Sequence, residues 1–483
     1  MGAARRIYKN TMYLGAAEIV SRILQFVIML YAARALSQEH FGKFSFALAL
    51  SLIAMVLADL GIGTLLVREI SRNKDLAGKY FVNAFFIKIA LSVITYLIVF
   101  VVLNILKYPD DTRHIVYIVW LFAMLSTFTE MFYSIFRAFE VMAYDAFLKI
   151  VRMILLSLAS LYVLFKGYGV LAFSLTFVLI EIVVVLAALL IALNKFINLI
   201  KLKPLIDCSF MRSLLKKALP FGLSAVFGMT YFFIGAVMLS KMRGDAEVAI
   251  YSAAYNIALA LLFVPTVYTN AIYPVLSRYY HERKRELKTL YEKSFKYLYI
   301  IGLPISIGLY LLAGRIIFFL YGEPYSGAII ALQVISLYLF IKFVNFLFGT
   351  LLASIDEQNK RMICQGATAA FNILLNVILI PKIGYIGAAF STLITEIFLF
   401  ALYYLYVSKS WYFYNFINAL AKPAISAIAM GLFIKFSGFG LIATILLSTL
   451  IYFAALFILK GLDQKDYSII RSIFKNGRLQ ESL

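Results

Sequence analysis

Residues 11–36 read TMYLGAAEIVSRILQFVIMLYAARAL, and about 20 apolar residues suffice to cross a bilayer as a helix. The segment nevertheless contains Glu18, Arg22 and Gln25, whose spacing places them on one face of a helix. A charge near the bilayer centre costs roughly 2.5–3.5 kcal/mol on insertion scales, so that face must contact protein or water. Two interpretations stay open: a Glu18–Arg22 pair that joins helices, or a polar stripe that lines a pathway.

The composition of the chain is that of a polytopic membrane protein. Of its 483 residues, 63% are hydrophobic and 14% are charged, and the mean hydropathy is +0.92; soluble domains contain about 25% charged residues. The net charge of +21 arises from basic residues between the apolar segments, which favours anionic membrane lipids over nucleic acid as partners. Cys208 and Cys364 form no metal or redox motif, so no cofactor is expected.

The apolar segments predict an all-α polytopic membrane protein with about 14 transmembrane helices. No alternation of apolar and polar residues competes with this prediction. Most lysines and arginines fall in segments that share one side of the membrane, so the positive-inside rule places both termini on the cytoplasmic side of the cell membrane. The predicted spans are 11–36, 42–64, 80–106, 114–136, 146–166, 169–193, 218–240, 246–276, 294–320, 325–353, 361–381, 385–408, 416–435 and 440–459.

Two similar stretches indicate an internal repeat. Residues 168–174 (YGVLAFS) resemble residues 385–391 (YIGAAFS), and the repeat spacing corresponds to six predicted helices. An even number of helices makes the repeats parallel, as in transporters whose two lobes enclose a central cavity. The predicted organisation is an N-lobe over 1–200 (helices 1–6), a C-lobe over 201–410 (helices 7–12), helices 13 and 14 over 411–460, and a cytoplasmic tail over 461–483.

The sequence argues against an enzyme. The predicted external loops, such as 107–113 and 241–247, are short, and the sequence contains no P-loop, H-E-x-x-H or G-x-S-x-G motif. A membrane glycosyltransferase or glycan polymerase would need external carboxylates and larger external loops. It is therefore the less favoured alternative to a transport protein.

A second intramembrane cation lies in the other predicted lobe. Lys342 is near the middle of segment 325–353, too deep to reach water easily, and Asn345 shares its helix face. Arg22 and Lys342 facing one cavity would hold an anionic head group, most naturally a phosphate or pyrophosphate. Glu18 would then orient Arg22 and take up a proton or cation in exchange.

Polar residues near the end of the predicted C-lobe suggest ion coupling. Asn372 and Asn376 offer oxygen ligands suited to a hard cation such as sodium, and Glu396 lies in the following predicted helix. No carboxylate in segment 218–240 completes such a site. Hydrogen bonding between helices is the alternative role of the two asparagines.

Two charged residues near the predicted cytoplasmic side have open roles. Asp59 in the second predicted helix either pairs with a basic residue such as Arg68 or takes part in ion coupling. Lys88 lies about two turns from a helix end, so its side chain either extends to the membrane interface or faces the cavity and helps to bind substrate.

Short motifs occur in a fixed order along the chain: residues 33–42 (ARALSQEHFG), 58–62 (ADLGI), 250–255 (IYSAAY), 273–278 (YPVLSR) and 376–381 (NVILIP). Together they resemble the polysaccharide-transporter flippases of the multidrug/oligosaccharidyl-lipid/polysaccharide exporter superfamily. The resemblance runs from about residue 5 to residue 410 and so covers nearly the whole chain.

This resemblance implies two six-helix lobes in a V shape, alternating access, and transport of lipid-linked oligosaccharides across the cytoplasmic membrane. It also implies that Arg22 and Arg34 match positions where the family often places basic residues. A carboxylate that some sodium-coupled relatives carry in the seventh helix has no counterpart here. Coupling to a Na⁺ or a H⁺ gradient therefore stays open.

The sequence thus predicts a flippase for a prenyl-phosphate- or pyrophosphate-linked oligosaccharide or polysaccharide repeat unit. The expected partners are this glycan lipid, anionic membrane lipids and the glycan polymerase or glycosyltransferases of the same pathway. A multidrug cation antiporter of the same fold is the main alternative. Such an antiporter would prefer an acidic cavity, and the basic excess argues against it.

Overall fold

The computed structural model describes residues 3–196, 206–412, 417–462 and 466, without the side chains of residues 3–12 and 417–419. All regular secondary structure in these ranges is helical, which confirms the predicted all-α fold. The helices are α1 (Ala3–Ala35), α2 (Gln38–Asp59), α3 (Ile62–Arg72), α4 (Ala77–Ile105), α5 (Asp110–Ala138), α6 (Met142–Phe165), α7 (Gly169–Lys195), α8 (Cys208–Arg243), α9 (Asp245–Leu261), α10 (Phe263–Glu282), α11 (Lys284–Leu320), α12 (Ala328–Ser354), α13 (Gln358–Ser410), α14 (Ile417–Phe436) and α15 (Leu441–Ile458), with short 3₁₀ helices at Lys74–Leu76 and Glu323–Tyr325.

The protein is a multi-pass membrane protein. Within the described ranges, twelve helical segments are long and apolar enough to cross a membrane. One of them, α13, is 53 residues long and leaves helical backbone angles at Ile383 and Gly384. The predicted count of 14 helices is therefore approximate, whereas the predicted break between residues 381 and 385 is confirmed.

The break in α13 has a local cause. Pro381 lacks a backbone N–H and crowds the preceding turn, and Gly384 has a φ of +57°. The N–H of Tyr385 donates to Oε2 of Glu247 at 2.8 Å, so a carboxylate of α9 replaces a helical acceptor. A Cβ on Gly384 would overlap that carboxylate, so the contact requires glycine.

A close backbone contact joins the end of α2 to α8. Leu60 and Gly61 have φ values of 42° and 78°, which end α2 and allow α3 to begin. The structure therefore divides the predicted span 42–64 at this turn. A Cβ on Gly222 of α8 would lie 2.5 Å from the carbonyl carbon of Leu60, so the two backbones touch where α8 has no side chain.

Helix α8 begins earlier than the predicted residue 218. Asp207 caps it, accepting hydrogen bonds from the N–H of Phe210 at 3.0 Å and from Nζ of Lys79 at 3.4 Å. These donors hold the pKa of the Asp207 carboxyl below its usual value. Cys208, the next residue, is exposed, whereas Cys364 is buried.

The chain forms two compact units. The first comprises Met1–Phe263 and Gln365–Ser391. Part of its core is a cluster of buried side chains from α3, α4, α5, α6, α7 and α8, which includes Phe81, Tyr133 and Phe136.

The second unit comprises Val264–Cys364 and Thr392–Leu483. Helices α14 and α15 pack on α11, where the hydroxyl of Tyr452 donates to the carbonyl of Ile300 at 2.9 Å. The bounds of α14 and α15 agree with the predicted spans 416–435 and 440–459.

The predicted division into lobes at residues 200 and 410 stays a prediction. The two compact units are defined by which residues contact each other, and their boundaries lie elsewhere in the chain. Most of the predicted tail, 461–483, lies outside the described residues. Its described residue Asp466 is buried and accepts hydrogen bonds from Lys293, Lys296 and Tyr297 of α11.

Candidate functional site

The first unit contains a cavity of about 260 Å³ lined by α1, α2, α8 and α9. Helix α1 contributes Arg22 and Gln25, two of the three residues of the polar stripe predicted from the sequence, together with Phe26 and Met29. Of the described residues that line the cavity, Arg22 alone carries a charge, and none is Asp or Glu. Arg22 is therefore the single charged side chain in the described part of the cavity wall.

Arg22 is oriented by Glu18. Its Nε donates to Oε1 of Glu18 at 2.9 Å, and the two side chains are 39% and 33% exposed. Glu18 does not line the cavity. The Glu18–Arg22 pair lies within α1 and does not itself join two helices, whereas Arg22 and Gln25 face a cavity, as side chains beside a pathway would. That these residues bind substrate stays a prediction.

The wall formed by α9 was missed by sequence reasoning. Tyr251, Ser252, Tyr255 and Asn256 line the cavity at the spacing of one helical face. The rings of Tyr251 and Tyr255 stack, with centroids 5.5 Å apart and planes inclined by 15°. The sequence contains a signal for this wall in residues 251–256 (YSAAYN), where a tyrosine followed by a polar residue recurs after four positions.

Lys342 belongs to the second unit and is engaged there. Its Nζ lies 3.3 Å from Oε2 of Glu396, and Nδ2 of Asn345 donates to Oε1 of Glu396 at 2.6 Å. Lys342 is 5% exposed and Glu396 is fully buried. Three residues that the sequence predicted separately, two as substrate ligands and one for ion coupling, therefore form one buried group. That Lys342 joins Arg22 in holding a head group stays a prediction.

Asp59 and Lys88 form an ion pair inside the first unit. Lys88 is fully buried, so its side chain does not extend to the membrane interface. The suggested pairing of Asp59 with Arg68 is wrong, because Arg68 instead binds its neighbour Glu69 at 2.8 Å. Periodicity places residues on a helix face, but it does not indicate which helix that face contacts.

The two asparagines of α13 bind each other. Nδ2 of Asn376 donates to Oδ1 and to the carbonyl of Asn372, both at 2.9 Å. A Cβ on Gly235 of α8 would lie 3.7 Å from Oδ1 of Asn376, so the side of α13 that carries Asn376 faces α8. The hydroxyl of Ser224 of α8 donates to Oε1 of Gln365 of α13 at 2.6 Å across the same contact between the two helices.

A buried ion pair in the first unit resembles the Lys342–Glu396 pair of the second. Nε of Arg152 lies 3.2 Å from Oε2 of Glu181, and the hydroxyl of Thr129 donates to Oε1 of Glu181 at 2.6 Å. Each unit therefore contains a buried glutamate that is paired with a cation from another helix. Arg34, by contrast, is exposed near the end of α1.

A family model described as polysaccharide biosynthesis protein matches residues 7–280, more than half of the chain. The chain belongs to this family. A second family model, MatE, matches residues 220–378.

Curated relatives agree with this family assignment. The capsular polysaccharide biosynthesis protein CapF of Staphylococcus aureus is 24% identical over 405 residues, which cover 82% of this chain and 98% of CapF. The putative O-antigen transporter of Escherichia coli (strain K12) is 25% identical over 410 residues, covering 83% of this chain and 97% of the transporter.

A solved structure shares the fold. The lipid II flippase MurJ in an inward closed conformation superposes with a TM-score of 0.75 at 18% sequence identity, covering 92% of this chain and 98% of MurJ. This likeness supports the all-α polytopic fold predicted from the apolar segments.

Proposed function

We propose that this member of the polysaccharide biosynthesis family is a flippase. It moves a prenyl-phosphate- or pyrophosphate-linked oligosaccharide or polysaccharide repeat unit across the cytoplasmic membrane by alternating access, with both termini in the cytoplasm. The names of CapF, the O-antigen transporter and MurJ support this proposal. It acts as a transporter and not as an enzyme.

The observation that carries the proposal is the single cation of the cavity. The Nε of Arg22 is occupied by Glu18, while its terminal guanidinium nitrogens have no partner within the described ranges. Those nitrogens match a phosphate bidentately. A cationic drug would find no carboxylate among the lining residues, which disfavours a multidrug antiporter.

The pairing of Arg22 with Glu18 suggests how transport is driven. A phosphate that binds Arg22 competes with the Glu18 carboxylate for one positive charge. Protonation of Glu18 removes this competition, so a proton and the head group bind together and not in exchange, and the rate of transport should depend on the direction of a proton gradient. We therefore propose that transport responds to protons through Glu18, with the prenyl chain kept in the bilayer and anionic lipids at the basic segments.

The test is transport of a fluorescent prenyl-pyrophosphate oligosaccharide in proteoliposomes. We expect the wild type to transport it and Arg22→Gln to be slowed at least about tenfold, since hydrogen bonds to charged groups contribute roughly 1.5–3 kcal/mol. Arg72→Gln is a matched control, because Arg72 is 69% exposed on α3.

Separate proton and sodium gradients test the coupling. Faster export when the cytoplasmic side is the more acidic, and slower export when the gradient is reversed, support a role for Glu18, whereas a response to sodium alone contradicts it. A folded Arg22→Gln protein that transports at the wild-type rate would overturn the flippase mechanism proposed here.

A further inference from the structure

Four uncharged polar side chains line the cavity without a protein partner. Gln25 of α1, Ser45 of α2, and Ser252 and Asn256 of α9 all contribute to its wall. No hydrogen bond joins any of their side chains to another residue in the described part of the chain. Their donors and acceptors are available to whatever occupies the cavity.

Some interior polar groups of the described residues are bound by protein, whereas others, such as the hydroxyls of Ser51 and Ser126, are buried singly without a hydrogen-bond partner. Thr129 donates to Glu181 at 2.6 Å, and Asn345 donates to Glu396 at 2.6 Å. An unbonded polar group in an apolar interior costs about 1–3 kcal/mol. The four polar side chains of the cavity differ from such isolated groups, because Gln25 is exposed, Ser45 and Asn256 are half-buried, and all four border one open space. Water or a ligand in that space can therefore bind all of them.

The aromatic residues of the cavity wall indicate which class of ligand the cavity can bind. Phe26, Phe232, Tyr251 and Tyr255 supply aromatic surface beside these polar groups. The C–H bonds on one face of a sugar ring carry partial positive charge, which the negative face of an aromatic ring attracts. Hydroxyl and amide side chains bind the ring hydroxyls. Aromatic faces next to neutral hydrogen-bonding groups are thus complementary to a sugar.

The volume of the cavity and the charge of its lining residues limit which sugars it can bind. Small-molecule sites are typically about 300–1,000 Å³, so a cavity of about 260 Å³ accommodates only part of a glycan lipid. Arg22 is the single charged residue among the described lining residues and is needed for the phosphate. A carboxylate on the sugar would have no cation to pair with in this cavity, and an unpaired buried charge is costly.

We propose that Gln25, Ser45, Ser252 and Asn256, with Tyr251 and Tyr255, form a recognition site for a neutral sugar ring and select against acidic sugars. This inference rests on the proposed flippase function, because it assumes that the phosphate occupies Arg22. The site determines specificity, whereas Arg22 contributes affinity for every head group.

The test compares three ligands of the detergent-solubilised full chain by titration calorimetry: a short prenyl pyrophosphate without sugar, the same lipid with one glucose, and the same lipid with one glucuronic acid. We expect the glucosyl lipid to bind the wild type more tightly than the other two. The ratio of the sugar-free to the glucosyl Kd measures sugar recognition.

Variants of α9 should lower this ratio. We expect Asn256→Leu and Tyr255→Leu each to lower it by about two- to tenfold, the value of one net hydrogen bond or ring contact. Tyr255→Phe, which keeps the ring, should lower it less than Tyr255→Leu. If Asn256→Leu does not fold, Ser252→Ala removes a single oxygen and serves in its place.

The outcomes separate the two proposals. Arg22→Gln should weaken all three ligands and leave the ratio unchanged. Failure of the wild type to bind even the sugar-free lipid through Arg22 contradicts the flippase function. Binding of all three lipids with equal affinity, or a ratio unchanged by the α9 variants, contradicts only the sugar site and indicates a cavity filled by water.

Discussion

The Nε of Arg22 donates a hydrogen bond to Oε1 of Glu18 at 2.9 Å, and Arg22 alone of the two lines the cavity. The carboxylate therefore fixes the guanidinium from outside the cavity wall. A guanidinium has five donors in a rigid plane, and only the Nε donor is used here within the described ranges. A phosphate in the cavity thus contacts an arginine that is already oriented.

Replacing Glu18 should affect the binding of prenyl pyrophosphate and the response of transport to protons in opposite ways. In Glu18→Gln, Arg22 loses a competing negative charge, so we expect prenyl pyrophosphate to bind about two- to tenfold more tightly at neutral pH. Transport should no longer respond to a proton gradient. Titration of the lipid and proteoliposome transport measure the two effects, with Glu323→Gln, at an exposed position of the short 3₁₀ helix Glu323–Tyr325, as control. Weaker binding by Glu18→Gln would mean that Glu18 acts mainly by positioning Arg22.

The Asp59–Lys88 pair predicts an asymmetric loss of stability. Asp59→Asn leaves the fully buried Lys88 without its counter-charge, whereas Lys88→Met leaves Asp59, which is 27% exposed and partly hydrated. Removing one partner of a buried pair costs about 3–5 kcal/mol. We expect Asp59→Asn to lower the Tm more than Lys88→Met, and the double variant Asp59→Leu/Lys88→Met to recover part of the loss. Equal, additive losses would show that the two charges are not coupled.

The Lys342–Glu396 pair permits a test of whether Lys342 contacts substrate. Lys342→Met removes the cation beside a fully buried carboxylate that keeps its hydrogen bond from Asn345, so we expect a marked fall in Tm. In the double variant Lys342→Met/Glu396→Gln, neither charge is present and Asn345 can still bind the amide. If the pair is structural, this variant regains stability and transport together. A stable double variant that does not bind prenyl pyrophosphate would instead support the head-group role predicted from the sequence.

The contact of α8 with the end of α2 should not tolerate a methyl group. Gly222→Ala places a Cβ 2.5 Å from the Leu60 carbonyl carbon, which forces the two backbones apart. We expect a loss of about 1–3 kcal/mol, the usual cost of overpacking, seen as a lower Tm in detergent. Gly228→Ala makes the same change on the same helix, where the nearest atom is an amide nitrogen of Gln365 at 3.8 Å. An unchanged Tm in Gly222→Ala would indicate that the helices can separate freely.

The fold could be predicted from the sequence largely because apolar length is a direct requirement of the bilayer. The break after Pro381 and the separation of α14 from α15 near Gly438 were both visible as interruptions of apolar segments. The turn at Leu60 was not predicted, although Gly61, which also has a positive φ, follows it in the sequence. The turn lies against Gly222, which is distant in the chain, and the sequence alone does not indicate that contact.

The candidate site was predictable only in part. The spacing of Glu18 and Arg22 fixed their pairing, since both belong to one helix. The partners of Asp59 and Lys342 lie on other helices, and helix rotation is set by packing that one sequence does not show. Tyr255 and Asn256 were missed because uncharged side chains in a membrane helix have no evident cost until the empty space beside them is seen.

The cap at the start of α8 has a practical consequence for spectroscopy. The natural chain has two cysteines, and the one beside Asp207 is exposed while the other is buried. A thiol-reactive fluorophore added to the unaltered protein should therefore attach at Cys208 alone. The label would sit at the beginning of a helix that lines the cavity, and its emission would follow the motion of that helix during transport without any engineered residue.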